Sequence, residues 1–382
     1  MNGLSAAAWL TSPIMLLAVI PVAAVAGRLL TLGASRLVEP YGSDSSHKRF
    51  IELTVVAAAS FLWWWEVIRQ SQLPVDGGMT PPLAIIGRYA AHMMLMLLLA
   101  AAAWVDLRHR VIPDQITVPG VLGGLAWNAL LPGTLLPIAT YVERSYATPE
   151  VKLDVLTVAG GLIDAGLPGW MDGAAGLAVA LIVFIGWWSV GTAPDETPSP
   201  VTRPRWLPNS RVVVAVLGIA CLVAAWMVGG VHWTGAVTAI TGLAVSGGVV
   251  WATRIGASWA LGREAMGFGD VTLMAMAGTW LGWQACLLAC LLGVFIGLVH
   301  GLSQLVLRAE SELPFGPSLC LGLAAVIILW RPLWELASPQ FERPMEMAVV
   351  AALVISLTAI TLWAWARFRG SAAHPEDPHT PR

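Results

Sequence analysis

The sequence predicts an all-α polytopic membrane protein of about ten or eleven transmembrane helices. Three observations carry this. Of its 382 residues 57% are hydrophobic and 12% charged, where soluble domains carry about 25% charged residues. Apolar runs near the ~20 residues a helix needs to cross a bilayer recur along the whole length. The positive charges also sort onto one set of loops. The net charge of −2 and the lack of a Lys/Arg-rich block leave no basis for a nucleic-acid partner, so the bilayer itself is the expected environment.

In chain order, spans fall near 6–27, 51–68, 84–105, 116–131, 172–191, 212–229, 233–253, 271–283, 285–306, 316–335 and 346–366. The eighth is short, since Asp270 and Trp283 bracket it, and reads as a tilted or half-buried helix. Val25-Ala-Gly27 resembles a signal-peptide cleavage site, but no Lys or Arg precedes the first apolar run, so an uncleaved first span is expected. Residues 132–171 read as an external loop, with Pro132-Gly133, Pro149 and Pro168-Gly169 as turn markers and a mildly amphipathic stretch at Val151–Ile163. Residues 192–210 form a Pro-rich linker, and the tail from Gly370 has the composition of a disordered segment. Cys221, Cys286, Cys290 and Cys320 lie inside apolar runs without a CxxC pair and read as packing residues. Tryptophans near span ends, such as Trp63–Trp65 and Trp187-Trp188, read as an interfacial belt.

With the N-terminus outside, about fifteen of the 21 Lys and Arg residues fall on one face and about six on the other. By the positive-inside rule the richer face is cytoplasmic. Two acidic clusters lie on it: Asp106-Leu-Arg-His-Arg-Val-Ile-Pro-Asp114 and Gly262-Arg-Glu-Ala-Met-Gly-Phe-Gly-Asp270.

An acid at the edge of a span is costly unless it has a use. Asp106 follows the third span and can point into the bundle, or pair with Arg108 or Arg110 at the boundary. Asp114, after Pro113, suits a helix cap. Asp270 also suits a cap, but Gly267 and Gly269 on either side of Phe268 further allow a sharp turn and close approach of another helix. Two carboxylates brought to one site hold a single proton between them. Such a pair can cleave an amide: the ionised acid takes a proton from water while the protonated one polarises the carbonyl. No metal or cofactor is required. The chain offers no GxSxG, no HExxH and no Cys/His pairing near these boundaries, and its histidines are scattered singly.

Asp106, Pro113-Asp114 and Gly267-Phe-Gly-Asp270, followed by Glu312-Leu-Pro-Phe-Gly-Pro-Ser318 with Pro314, Gly316 and Pro317, resemble the type IV prepilin peptidase family of GxGD intramembrane aspartyl proteases. The matches stand in the family's order, across roughly 84–131 and 233–330. The resemblance implies a GxGD-type bundle with Asp106 and Asp270 as the catalytic pair. It further implies an endopeptidase in the cytoplasmic membrane that removes basic leaders from prepilins or pseudopilins on the cytoplasmic side, without a cofactor. The chain departs from the family in three places. It lacks the paired CxxC motifs, so no N-methyltransferase activity is expected; Thr272 stands where the family often has Lys; and about 132–211 reads as an insertion carrying an extra span. The expected division is 1–83 as N-terminal helices without assigned function, 84–335 as the peptidase-like domain, 336–369 as a C-terminal helix and 370–382 as the tail. Two other readings use the same acids, a transporter with relay carboxylates and an inactive assembly scaffold. The sequence does not specify an oligomeric state.

Overall fold

The computed structural model describes residues 15, 18–25, 27–28, 45–73, 81–142, 150–155, 167–192, 208–264, 266–307 and 315–341, with isolated positions between 345 and 363. Helix α1, Ser45–Leu62, runs on as a π-helix over Trp63–Ile68. Helices α2 (Pro82–His109) and α3 (Asp114–Leu130) follow. After a 3₁₀ turn at Pro132–Thr134 come strands β1 (Pro137–Val142) and β2 (Glu150–Val155). A single turn at Gly169–Asp172 leads to α4 (Ala174–Gly191), α5 (Pro208–Val228) and α6 (Gly230–Leu261). The chain continues with α7 (Phe268–Leu281), α8 (Trp283–Leu307), α9 (Gly316–Ile328) and α10 (Trp330–Phe341).

The protein is a helical, multi-pass membrane protein. Among the described residues five helices are long and apolar enough to cross a bilayer: α2, α4, α5 over Ser210–Val228, α6, and α8 over Trp283–Gln304. The span expected over 316–335 is instead a broken one. α9 and α10 meet at 95°, because Leu329 leaves the helix while Trp330 is fully buried and donates its indole N–H to the Pro137 carbonyl at 2.7 Å. The loop expected over 132–171 contains an antiparallel hairpin, with Pro137 opposite Val155 and Val142 opposite Glu150. The amphipathic stretch from Val151 therefore begins as a strand. Most of the spans expected at 6–27 and 346–366, the linker over 193–207 and the tail lie outside the described residues.

The short eighth span proves to be the centre of the bundle. α7 has 14 residues, about 21 Å at 1.5 Å per residue, and every one from Asp270 to Leu281 is buried. It can be short because protein, rather than lipid, surrounds it. α6 crosses it where Gly242 meets Gly278: a Cβ on Gly242 would lie 2.7 Å from the Gly278 carbonyl carbon and 3.2 Å from Gly282 Cα. Lipid tails are as apolar as side chains, so helices in a bilayer associate by close packing, and glycine permits the closest approach. On the other side α3 is fixed by Trp280 Nε1 donating to Gly120 O at 2.9 Å and Asn128 Nδ2 donating to Thr279 O at 2.5 Å.

Two further apolar clusters attach the remaining helices. Ala180 and Phe184 of α4 pack with Leu222 and Ala225 of α5, Trp233 and Ala236 of α6 and Leu125 of α3. Ala59, Trp63 and Val67 pack with Val19, Ala23 and Ile85 of α2. These clusters leave one end of α2, α3, α7 and α9 to meet at a single point.

Candidate functional site

α2 ends at His109, and Arg110 closes it in the left-handed region, with φ +56° and its N–H bonded to Asp106 O at 2.8 Å. That conformation costs an L-residue about 1–2 kcal/mol. It reverses the chain so that Ile112 passes beneath the ends of the other helices. Pro113, not Asp114, occupies the cap position of α3, and it makes no side-chain capping bond. Asp114 is the first helical residue, where an acid meets the positive end of the helix dipole.

Ile112 is the hub. It is 5% exposed. A Cβ on Gly269 would come within 2.8 Å of Ile112 Cβ and 3.2 Å of its backbone N, and one on Gly316 would come within 3.1 Å of its Cδ1. Three segments distant in sequence, 110–114, 267–270 and 315–317, therefore converge on one side chain. The two glycines that flank Phe268 play different parts. Neither has a positive φ. Gly269 is needed for the close approach, while Gly267, at φ −64° and ψ 148°, has nothing nearer than 4.0 Å to a would-be Cβ.

Asp106 and Asp270 stand on either side of this contact, 6% and 7% exposed, close enough for the charge of one to act on the other. Asp270 is the third residue of α7, whose cap position is Gly267, so it is not the cap that its place in the sequence suggests. Arg108 lies over the Trp104 ring at 4.2 Å, turned to the aromatic face. What faces Asp106 is α9, whose Gly316 N–H hydrogen-bonds its carboxylate. Burial strips water from both acids, while this N–H and the N-termini of α7 and α9 favour negative charge there. Phe315 occupies the α9 cap position and Pro317 its first turn, a place that suits a residue lacking an N–H. Pro314, Leu313 and Glu312 lie outside the described residues.

Further residues surround the acids, some named above and some brought here only by the fold. Cys320 is buried one turn along α9 from Gly316. Arg254 of α6 pins the loop that leads into α7: its Nε donates to Met266 O at 2.9 Å, its guanidinium pairs with Glu264, and it lies 5.7 Å from the Phe268 ring centre. Thr272 turns its hydroxyl to Gly269 O at 3.0 Å. It also lines an apolar cavity of about 180 Å³ whose walls include Val183, Trp187 and Val190 of α4, Trp251 of α6 and Phe268. The helix within the expected insertion thus borders the very residue at which the chain departs from the family pattern. Among the described residues no group of three or more His, Cys, Asp or Glu side chains is arranged to hold a metal ion. Only pairwise geometry could have revealed Arg254, Trp187 and Trp251 as neighbours of the site, since none has a spacing that stands out in sequence.

Residues 202–302 match the model of the type IV leader peptidase family, a stretch that includes Asp270 but not Asp106 or Gly316. The chain is 34% identical to the prepilin leader peptidase/N-methyltransferase of Aeromonas hydrophila over 194 residues, 50% of this chain and 59% of that protein. It is 35% identical to the protein of that name from Aeromonas salmonicida over 95 residues, 24% of this chain and 31% of that one. Against that of Pseudomonas aeruginosa it is 44% identical over 72 residues, 18% of this chain and 24% of the other. No solved structure matches. The chain, a polytopic helical bundle with GxGD at the head of a buried helix, is thus similar, over the matched stretches, to the type IV leader peptidase family. It spans between about a quarter and three fifths of the length of these three relatives.

Proposed function

We propose that the chain is a membrane-embedded aspartyl endopeptidase that removes leaders from prepilin-like precursors at the cytoplasmic face of the inner membrane. The observation that carries this is the pairing of Asp106 and Asp270 around the Ile112 contact, with both acids buried and mutually interacting. The family match supports the reaction class, and the excess of Lys and Arg on the loops of this face supports its orientation.

In this reading one carboxylate is ionised and takes a proton from a water held between the two. The other is protonated and hydrogen-bonds the scissile carbonyl; the protons return as the amine leaves. The Gly316 N–H marks Asp106 as the acid better suited to carry the charge. Substrate chemistry follows from depth. An apolar helix preceded by a polar leader, lying in the bilayer, presents its junction at the level of these acids, and the cavity beside Phe268 and Thr272 offers apolar walls to the residues after the junction. Cleavage is the whole of the proposal. The N-methyltransferase activity in the relatives' names is not carried over, since the four cysteines here form no CxxC pair.

The test is cleavage of a prepilin-like peptide in membranes carrying wild type, Asp106→Asn or Asp270→Asn. Wild type is expected to cleave and both variants to lose activity by about 10⁴-fold or more, the scale at which removing one member of a catalytic unit disables it. A wild type that cleaves nothing, or an Asn variant at full rate, would overturn the reading.

A further inference from the structure

The residues before α2 lie outside the peptidase-like motifs, yet they grip both helices that meet at Asp106. The grip comes from the π-helix Trp63–Ile68 and the turn after it. Trp65 Nε1 donates to Ile328 O at 2.7 Å and Gln72 Nε2 donates to Ile327 O at 2.8 Å, both at the last turn of α9. Glu66 Oε1 accepts from Gln72 Nε2 at 3.0 Å and shares a hydrogen bond with His92 Nδ1 of α2 at 2.8 Å. One short segment therefore ties the far end of α9 to the middle of α2.

The tie is made of groups that a bilayer interior disfavours. Glu66, Gln72, Arg88 and His92 are 5%, 3%, 4% and 3% exposed. Arg88, one turn before His92, lies within reach of the Glu66 charge. Glu66 Oε2 and Gln72 Oε1 have no hydrogen-bond partner. A buried charged network that leaves oxygens unsatisfied is a poor source of net stability, so its value lies in fixing an arrangement. The π-helix supports this, because such turns are uncommon and concentrate at functional sites.

The arrangement is a frame. His92 stands about four turns before Asp106 on α2, and Ile328 a little over three turns after Gly316 on α9. Each tie is thus roughly 20 Å from the acid along its helix. At one end the frame is closed by the Gly316 N–H on Asp106, and at the other by Trp65, Glu66 and Gln72. The chain after α3 adds a second stitch to α2 and the α9–α10 bend. Arg88 Nε donates to Leu135 O at 3.1 Å, and Trp330 donates to Pro137 O, two residues further on. α2 and α9 pack directly against each other, so loosening one end lets them tilt at the other.

We propose that Trp65, Glu66 and Gln72 are positioning residues that set the spacing of α2 and α9, and through it the placement of the Gly316 N–H on Asp106. The proposal rests on the peptidase reading for its effect on rate, but not for its effect on geometry.

Both effects are measured in a Trp65→Phe/Gln72→Leu variant, which removes the two hydrogen bonds to α9 and keeps comparable apolar bulk. The first readout is cleavage of a prepilin-like peptide in membranes. kcat is expected to fall about tenfold or more with KM changed less than about twofold, because misplacing a reacting group lowers turnover without removing binding contacts. The second is the distance distribution between spin labels at Leu107→Cys on α2 and Leu321→Cys on α9, both exposed, at 58% and 57%, with the four native cysteines replaced. The distribution is expected to broaden or shift relative to the otherwise native protein. Unchanged label distances overturn the proposal whatever the activity. Changed distances with wild-type kcat overturn its link to catalysis. If the wild type cleaves nothing, the peptidase reading fails by itself, and the label distances still decide the frame.

Discussion

Gly316 presents its backbone N–H to the Asp106 carboxylate across a contact that leaves no room for a methyl group. A Cβ there would strike the carboxylate oxygen and lie 3.1 Å from both Asp106 Cγ and Ile112 Cδ1. Gly316→Ala must therefore push α9 away from α2 or turn the Asp106 side chain. A displacement near 1 Å at a reacting group costs about a hundredfold in rate. We expect Gly316→Ala to insert normally and to cleave a prepilin-like peptide about a hundredfold more slowly, measured as initial rate in membranes at matched protein level. A variant within twofold of wild type would mean that this N–H does not set the active geometry.

The motif's two glycines should separate cleanly. Gly269 has Ile112 Cβ at 2.8 Å from a would-be Cβ, with Ile112 backbone atoms at 3.2 and 3.4 Å, so side-chain trimming cannot relieve the clash. Gly267 has open space and an ordinary extended backbone. We expect Gly267→Ala to cleave within about threefold of wild type and Gly269→Ala to lose about a hundredfold or more, by the same displacement argument. Equal losses at both positions would point to a demand for backbone freedom rather than for space.

That contrast shows what the sequence carried and what it did not. The helical membrane class was legible because lipid burial forces long apolar runs, and charge asymmetry gathered Asp106 and Asp270 to one face. Gly267 and Gly269 look alike in sequence, because the neighbour that distinguishes them, Ile112, is about 150 residues away in the chain. The histidines read as scattered singly, yet His92 meets Glu66 inside the bundle, with Arg88 within reach of the same carboxylate. Buried polar pairs between distant helices leave no local period to detect. The bend at Leu329 was hidden for a related reason, since it depends on Trp330 reaching Pro137.

The proposed reaction requires one proton on the acid pair. At low pH both carboxylates are protonated and neither can accept a proton from water. At high pH both are ionised and neither can donate to the carbonyl. A pair that must hold one proton works only in the window where its singly protonated form dominates. We expect kcat/KM for peptide cleavage to be bell-shaped in pH, with unfolding monitored in parallel to exclude loss of structure at either limb. A rate that depends on a single ionisation, rising to a plateau without a second limb, would argue against two acids working as a pair.

The crossing of α6 and α7 at Gly242 and Gly278 holds α7 in place. A Cβ on Gly278 would run into the Gly242 carbonyl and lie 2.8 Å from Ser246 Oγ. The obstruction is backbone, so α6 and α7 would have to separate along a contact that is buried on both sides. Overpacking of this kind costs about 1–3 kcal/mol. Gly248 lies on the same α6 with nothing within 4 Å of a would-be Cβ, and alanine in a helix interior is better than glycine by about 0.5–1 kcal/mol. We therefore expect opposite signs from the same chemical change: Gly278→Ala should unfold at a lower temperature than wild type in detergent, and Gly248→Ala at the same or a higher one. If Gly278→Ala unfolds no lower than wild type, close backbone approach is not what seats α7, and the position of Asp270 at its head must be fixed by the Ile112 contact and the Arg254 latch instead.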